Sequence, residues 1–172
     1  KKPIQDNVIL FETFMAKNYS DSPKYIYEYI AKNYPGKYKC VWAVNDGHEV
    51  PYGAEVVKRF SIKYAYYVAV SKYFVFNVRQ PLWYRKREGQ VFVETWHGTP
   101  LKRLVFDQEE VTSASPKYKQ QFYRQRQEWD YLVSANPFST KTFRSCFMYE
   151  GKMLEYGYPR NDILYWPNKD EI

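Results

Sequence analysis

Residues 91–103 read Val-Phe-Val-Glu-Thr-Trp-His-Gly-Thr-Pro-Leu-Lys-Arg, and the rest of the chain is organised around them. The first residues have the apolar character of a buried strand, whereas Gly98, Thr99 and Pro100 break a strand. His97, one of 2 histidines in the chain, is therefore expected at a strand's carboxyl end. Ligands of open α/β sheets bind outside the carboxyl ends of the strands, so His97 is a candidate for proton transfer.

Two cations, Lys102 and Arg103, follow His97 closely in the sequence. A neutral base beside two cations suits the deprotonation of a hydroxyl in a substrate whose phosphate the cations hold. The alternative is that His97 is a loop residue that only hydrogen-bonds its neighbours, and the spacing alone does not separate the two interpretations.

The composition favours a single domain with an anionic partner. The 172 residues suffice for one real core and are too few for two ordinary domains. The formal charge of +7 suits nucleic acid, an acidic membrane surface or a phosphorylated substrate. Aromatic residues make up 20% of the chain, 19 of them tyrosines, and most are expected in the core, although they also suit base stacking and lipid interfaces.

Cysteine usage and hydropathy predict a cytosolic compartment. Cys40 and Cys146 are too few for a disulfide scaffold and form no C-x-x-C pair. No run of about 18 apolar residues is present, and the first residues lack a signal peptide's apolar core. The chain begins without methionine and stops in a polar tail, so we expect it to be a piece of a longer polypeptide.

Strand and helix signals alternate along the chain. Strands are predicted at residues 8–11, 40–44, 54–57, 73–77, 91–95, 131–134 and 152–156. Helices are predicted from the cap Ser22 to Pro35 and from the cap Asn136 to about Met148. Residues 61–71 have helical spacing, and a further helix is predicted to open at Ser115 and to end near Trp129. This alternation predicts an α/β fold: a Rossmann-like parallel sheet with helices on both faces.

The sequence carries no signature of a bound cofactor. No G-x-G-x-x-G follows the first strand and no P-loop motif occurs, so neither form of nucleotide binding is predicted. No cluster of His, Asp and Glu suggests a catalytic metal, so we expect neither metal nor cofactor. His48 lies in a predicted turn beside Gly47 and is expected to be an exposed residue without a function.

Residues 79–89 combine large aromatic side chains with three consecutive basic residues, Arg85, Lys86 and Arg87. Such a mixture suits an anionic interface. A solvated basic loop whose Trp83 packs into the core is equally compatible with the pattern.

Four blocks of unusual composition follow one another along the chain. They are Phe-Glu-Thr-Phe and Tyr-Ser-Asp-Ser-Pro-Lys within residues 11–27, Val-Trp-Ala-Val at 41–44, Thr-Trp-His-Gly-Thr-Pro-Leu-Lys at 95–102, and Gly-Tyr-Pro-Arg-Asn-Asp at 157–162. In this order they resemble the CDP-glycerol glycerophosphotransferases, the teichoic acid primases and polymerases of Gram-positive bacteria. The resemblance runs over nearly the whole chain.

The resemblance implies a GT-B architecture, in which an N-terminal Rossmann-like domain handles the acceptor and a C-terminal one holds CDP-glycerol. Residues 1–156 would then form the acceptor-side domain. Residues 157–172 would be an inter-domain linker or the start of a C-terminal domain that this sequence lacks. On this basis we expect the chain alone to be inactive or nearly so.

The implied reaction is attack of an acceptor hydroxyl on the β-phosphate of CDP-glycerol, which releases CMP and leaves a phosphodiester. His97 matches the family's motif histidine and is the implied base, with Gly98, Thr99, Lys102 and Arg103 as candidates for substrate binding. A turn, a helix cap or solvated cations are the alternatives for these four residues.

Three further candidates for substrate binding, Arg160, Asn161 and Asp162, lie where the family's chain passes between domains. They line the inter-domain cleft or simply fix the linker. Asp21 could face the same cleft, although a turn role is favoured for it.

The implied partners are CDP-glycerol, a lipid-linked glycan or polyol phosphate acceptor, and an anionic membrane surface. The implied location is peripheral, on the cytoplasmic side of the cell membrane, and no nucleic acid is expected. Ribitol phosphate transfer and a capsule polymer stay open. A basic-aromatic nucleic-acid-binding module is the alternative from another class; it lacks RNP, KH, helix-turn-helix and zinc signatures.

Overall fold

A computed structural model describes residues 2–45, 47, 49–110 and 115–165 of the chain. Within them, one sheet of 7 strands has the order β3-β2-β1-β4-β5-β6-β7, and every neighbouring pair is parallel. The strands are β1 (Gln5–Glu12), β2 (Lys39–Ala43), β3 (Glu55–Val57), β4 (Ser71–Phe76), β5 (Val91–Glu94), β6 (Tyr131–Ser134) and β7 (Lys152–Glu155). The predicted Rossmann-like parallel sheet is confirmed.

Helices connect the strands. In the described part of the chain they are α1 (Asp21–Asn33), α2 (Ile62–Val70), α3 (Tyr118–Arg126) and α4 (Pro137–Cys146), with short 3-10 helices at Val105–Asp107 and Pro159–Tyr165. Two helix caps form, and the one at Asn136 was predicted from the sequence. The Ser61 hydroxyl accepts from the Tyr64 amide at 3.1 Å and the Asn136 side chain from the Ser139 amide at 2.9 Å, so each satisfies a donor of the first helical turn.

The side chains of β1 alternate between two cores, one on each face of the sheet. Val8 and Leu10 belong to the larger core, which also contains buried residues of α2, α3 and α4. On the opposite face, Phe11 stacks on Trp42 of β2 at 5.3 Å between ring centroids and meets Tyr27 of α1 edge-on at 5.6 Å. Helices therefore cover both faces, as predicted.

The strand order reverses beside β1, which pairs with β2 on one side and with β4 on the other. Such a switch point opens a crevice outside the carboxyl ends of the strands. Glu12 of β1 is level with Phe76 of β4, which is level with Glu94 of β5. The loops that follow these three strands consequently meet at one edge of the sheet.

Several element ends differ from the sequence prediction. The first helix begins at Asp21 with Ser20 as its N-cap residue, so the prediction of Ser22 as the cap is wrong; Ser22 is buried in the first turn. The helix predicted over residues 115–129 is shorter, because the chain turns after Arg126 and brings Trp129 into the core. The 104–115 segment includes residues outside the described ranges, as does the turn that contains His48.

The last segment, predicted as turn-rich, forms the 3-10 helix Pro159–Tyr165 and packs against α1. The chain therefore returns, after its last strand, to the carboxyl ends of the strands where the crevice lies.

Replacement of a ring in the smaller core tests this packing. Phe11 is 0% exposed, so we expect Phe11→Leu to lower the free energy of unfolding by about 1–3 kcal/mol, because a cavity remains beside Trp42. The matched change Phe138→Leu, at a side chain 55% exposed, should stay within about 0.5 kcal/mol of the unmodified chain. Denaturant unfolding followed by circular dichroism measures both, and equal losses would contradict the assigned packing.

Candidate active site at the carboxyl ends of β1, β4 and β5

His97 lies just beyond β5, and one hydrogen bond fixes the state of its ring. Its Nδ1 is 2.7 Å from the backbone carbonyl oxygen of Asn77. A carbonyl can only accept, so Nδ1 carries the hydrogen and donates it. In the neutral ring the lone pair therefore sits on Nε2, which is the nitrogen available as a base.

Two aromatic rings hold the imidazole in place. Trp96 stacks on it with ring centroids 4.4 Å apart, and Phe14 meets it edge-on at 5.9 Å. The ring is thus clamped between the loop after β1 and the residue that precedes it in the chain.

Asn77, which follows β4, ties the surrounding loops together through its buried side chain. Its Oδ1 accepts a hydrogen bond from the Phe14 amide at 2.8 Å, and its Nδ2 donates to the Asp21 carboxylate at 2.7 Å. The residue whose carbonyl sets the tautomer of His97 is therefore itself anchored to the loop after β1 and to the start of α1.

The segment after β7 holds the backbone of the His97 loop. Arg160 donates from Nη1 to the carbonyl of His97 at 3.0 Å and to the Asp21 carboxylate at 3.1 Å. The Tyr158 hydroxyl donates to the carbonyl of Gly98 at 2.8 Å. These bonds link residues far apart in sequence into one rigid arrangement around the imidazole.

Backbone strain is concentrated around this arrangement. Left-handed φ values occur at Phe14 (46°), Met15 (58°), Ala16 (63°), Asp21 (57°) and Trp96 (53°). Each costs a non-glycine residue on the order of 1–2 kcal/mol, so such residues persist where the surrounding contacts enforce them. Here they let the loops after β1 and β5 turn sharply enough to meet.

Glu94, the last residue of β5, is fully buried beneath the His97 loop. Its Oε1 accepts a hydrogen bond from the Trp96 amide at 3.0 Å. Burial raises the pKa of Glu94 well above the usual 4.5, which favours the protonated carboxyl. Glu94 thus supports the left-handed Trp96 from beneath the His97 loop.

Glu12, the last residue of β1, forms a second buried cluster. Arg59 donates from Nε to both carboxylate oxygens at 3.1 Å, and the Tyr64 hydroxyl donates at 3.0 Å. Burial raises the pKa of Glu12, and the adjacent Arg59 guanidinium opposes that shift. The charge of Arg59 is thereby balanced by a carboxylate behind it.

A cavity of about 450 Å³ opens in front of His97. Its lining is mostly basic, aromatic and amide side chains: Met15, Arg59, Val78, Arg79, Gln80, Pro81, Trp96, His97, Tyr118 and Gln125. Its size is typical of a small-molecule site, for which about 300–1,000 Å³ is usual. A base with a fixed tautomer in a basic cavity can accept a proton from a hydroxyl of an anionic substrate.

A sequence profile of the family described as CDP-glycerol:poly(glycerophosphate) glycerophosphotransferase matches residues 1–172. The chain belongs to this family. The teichoic acid poly(glycerol phosphate) polymerase of Staphylococcus epidermidis is 49% identical over 170 residues, which is 93% of this chain and 23% of that protein. The Bacillus subtilis protein of the same name is 41% identical over 177 residues, or 99% of this chain and 24% of that protein.

Solved structures of the wall teichoic acid polymerase TagF have the same fold. One superposes with a TM-score of 0.91 at 46% identity and covers 98% of this chain and 42% of that one. A histidine-to-asparagine variant of TagF soaked with CDPG gives a TM-score of 0.92 at 45% identity. The chain spans less than half the length of the relatives and structures it matches here.

The geometry explains why the blocks that carry the family resemblance occur together. Phe14 and Asp21 of the first block, His97 and Gly98 of the third, and Arg160 of the fourth meet around one crevice. The second block is strand β2, which lies in the core beside β1. The first, third and fourth blocks therefore build one site, and the second block supports it from the core.

Some of the sequence-predicted residues lie at this site. His97 lines the cavity, Gly98 is half-buried beside it, and a side chain added at Gly98 would meet open space. Thr99 is exposed at the rim of the same loop. Arg160 contacts the backbone of His97 with a guanidinium that is also paired to Asp21.

The other predicted residues lie away from the cavity. Lys102 and Arg103 are exposed, and Arg103 pairs with Glu109 at 2.6 Å. Asn161 and Asp162 are exposed on the 3-10 helix that packs on α1. No group of three metal-ligating side chains occurs within the ranges that the structure describes.

Sequence reasoning missed the polar residues that directly follow β4. Asn77 was expected as the end of a buried strand and Arg79 as part of a surface loop. A usable signal existed, since a polar residue at the carboxyl end of an apolar strand lies where α/β sheets bind ligands. Glu94 and Arg59 gave no such signal.

The burial of Glu94 makes the free energy of unfolding depend on pH in a direction that can be stated. Because folding raises the pKa of Glu94, the native state keeps a proton that the unfolded chain releases above about pH 4.5. The stability of the unmodified chain relative to Glu94→Gln should therefore fall as pH rises above 4.5, by at most about 1.4 kcal/mol per pH unit. Urea unfolding between pH 5 and 8 measures the difference, and the exposed Glu150→Gln serves as control. A pH-independent difference between unmodified chain and Glu94→Gln would refute a neutral buried acid.

Proposed function

We propose that this domain is the acceptor-side part of a glycerophosphotransferase that extends a teichoic acid with glycerol phosphate from CDP-glycerol. The proposal rests above all on the hydrogen bond from Nδ1 of His97 to the Asn77 carbonyl, which leaves Nε2 as a base beside the cavity. Family membership and the polymerase names of the relatives support the choice of reaction.

In the proposed step, Nε2 of His97 takes the proton from a terminal acceptor hydroxyl. The hydroxyl oxygen forms a bond to the β-phosphorus of CDP-glycerol, and the bond from that phosphorus to the bridging oxygen breaks. CMP leaves with the electron pair of that bond, and the product is a phosphodiester. A general base contributes about 100-fold or more when the attacking hydroxyl is a poor nucleophile.

The contacts of His97 also suit its protonated state. The Nδ1 hydrogen bond to a carbonyl persists when Nε2 gains a proton, and the carbonyl dipole then faces a cation. No carboxylate is required to orient the ring, because the backbone of Asn77 does so.

The substrate-binding residues divide into two groups in this proposal. Gly98 and Thr99 lie at the rim where an acceptor approaches His97, and Lys102 and Arg103 meet phosphates outside the cavity. Arg160 positions the His97 loop through Asp21, and Asn161 and Asp162 face the remainder of the enzyme.

The proposed division of labour follows the GT-B arrangement. Residues 1–156 are the acceptor-side domain, and residues 157–172 lead towards a domain that binds most of CDP-glycerol. Glycerol and ribitol phosphate, and wall and capsule polymers, require the same base at this position, so the geometry favours none of them over another.

A peripheral position at the cytoplasmic membrane face suits a lipid-linked acceptor. No helix among the described residues combines the length and hydropathy needed to span a bilayer. An apolar patch, defined as Phe60, Ile62, Leu82 and Trp83, is exposed beside the cavity. The Phe60 and Trp83 rings are 6.2 Å apart. The guanidinium of Arg59, which lines the cavity, lies 4.3 Å from the Phe60 ring centroid.

The loop behind this patch is only partly available to a membrane. Lys86 pairs with Asp130, and Arg87 donates to the carbonyl of Lys2 at 3.0 Å, so these two cations are used within the fold. Tyr84 packs into the core, whereas Trp83 is 58% exposed, opposite to the alternative that buried Trp83. We propose that Trp83 and Phe60 enter the lipid interface, where aromatic side chains are favoured.

The base is tested in the full-length protein by measuring CMP release from CDP-glycerol with a lipid-linked acceptor analogue. We expect His97→Ala to lower kcat by about 100-fold or more with little change in KM, because the proton acceptor is lost. His48→Ala, the only other histidine replacement that the chain allows, is the matched control. Near-normal turnover of folded His97→Ala would remove His97 from the chemistry.

Membrane binding by the apolar patch is tested by cosedimentation of the full-length protein with anionic liposomes across a salt series. Phe60→Ser combined with Trp83→Ser should weaken partitioning about tenfold or more, since two large apolar side chains no longer leave water. Phe138→Ser with Tyr156→Ser, at exposed sites elsewhere, is the control. Unchanged partitioning, or retention on single-stranded DNA without liposome binding, would count against the membrane proposal.

A further inference from the structure

One cation at the cavity takes no part in the proton transfer described above. Arg79 follows β4 by three residues and lines the same cavity as His97. Within the described part of the chain it has no carboxylate partner within ion-pair distance. A cation removed from water without a balancing anion is costly, so its position calls for an explanation.

The guanidinium of Arg79 is held in one place. It lies over two rings of α3, 5.2 Å from the centroid of Tyr118 and 5.0 Å from that of Phe122. Its Nη1 donates to Oε1 of Gln125 at 3.0 Å, and Gln125 in turn donates from Nε2 to the carbonyl of Gln80. The guanidinium of Arg79 is therefore preorganised. It has further N–H donors besides the one that bonds to Gln125.

The charges around the cavity leave a surplus of one cation. Arg59 is balanced by Glu12 at 3.1 Å, whereas no described carboxylate, Glu94 included, lies within ion-pair distance of Arg79. Burial lowers the pKa of Arg79, and the Tyr118 and Glu94 side chains oppose that shift. A bound group with a single negative charge would balance the cavity.

We propose that Arg79 binds a phosphodiester of the acceptor chain, so that the glycerol next to that phosphate presents its terminal hydroxyl to His97. This inference rests on the proposed function and identifies the acceptor chemistry that the domain recognises. A guanidinium forms paired hydrogen bonds to phosphate oxygens, and a phosphodiester carries the one negative charge that the cavity lacks.

The same accounting disfavours the diphosphate of the donor at Arg79. A diphosphate diester carries two negative charges, and one guanidinium with one uncompensated charge matches only half of them. An acceptor that ends in a neutral sugar would leave Arg79 unbalanced. The cavity therefore fits a chain that already carries a polyol phosphate.

The test compares two soluble acceptors in the full-length protein. Both end in glycerol, which is attached through a phosphodiester in the first and through a neutral ether in the second. We expect Arg79→Gln to raise KM for the phosphodiester acceptor about 10- to 100-fold, while KM for CDP-glycerol and for the ether acceptor changes less than about twofold. Arg79→Lys, which keeps the charge without the fork, should recover part of the loss.

Arg124→Gln is the matched control, because it removes the same charge from an exposed position on α3. A higher KM for CDP-glycerol in Arg79→Gln, or equal losses with both acceptors, would overturn the proposal. Circular dichroism confirms that each variant is folded.

A binding measurement separates this inference from the proposed function. Calorimetric titration with a dimer of glycerol phosphate requires no turnover. Binding to the unmodified protein that is lost in Arg79→Gln supports the phosphodiester site even if no CMP is released. Absence of binding to the unmodified protein overturns the site even if the transfer reaction proceeds.

Discussion

The hydrogen bond from Nδ1 of His97 to the backbone carbonyl of Asn77 is the interaction on which the site depends. It exists because β4 and β5 are parallel neighbours, with Phe76 level with Glu94, so the chain leaves both strands at the same edge of the sheet. A donor at Nδ1 leaves the lone pair at Nε2, and no side chain is needed to select that tautomer. The sheet topology thus fixes the tautomer of the His97 ring.

The arrangement around this bond is costly, and the aromatic core stabilises it. Left-handed residues, a buried acid at Glu94 and a partly buried cation at Arg79 each raise the free energy of the folded state. The left-handed residues lie around the imidazole because three loops can approach one another closely only through sharp turns. The packed rings on both faces of the sheet, among them Phe11 and Trp42, provide the opposing hydrophobic contribution.

Much of the fold could be predicted from the sequence, because strands and helices are encoded by local patterns. The parallel sheet, the cap Asn136 and the position of His97 at a strand's end all follow from residues near one another. The site could be predicted only in part. Its contacts join Arg160 to Asp21 and Asn77 to Phe14, residues whose proximity depends on strand order rather than on spacing.

The sequence also did not show which basic side chains line the cavity. Lys102 and Arg103 are adjacent to His97 in sequence but exposed in the structure, whereas Arg79 is distant in sequence and shares its cavity. Three left-handed residues in succession at Phe14, Met15 and Ala16 carry no glycine or asparagine that could have revealed the turn. Conformations that tertiary contacts enforce leave little trace in local sequence.

The tautomer of His97 tests the central claim most directly. Nitrogen-15 NMR of the 172-residue chain with labelled histidine and His48→Ala reports the protonation of each ring nitrogen of His97, the one histidine that is left. We predict that the neutral ring carries its hydrogen on Nδ1 and a lone pair on Nε2, which is the less common tautomer in free histidine. A hydrogen on Nε2 in the neutral ring would contradict the account, since the nitrogen assigned as the base would then have no lone pair to accept a proton.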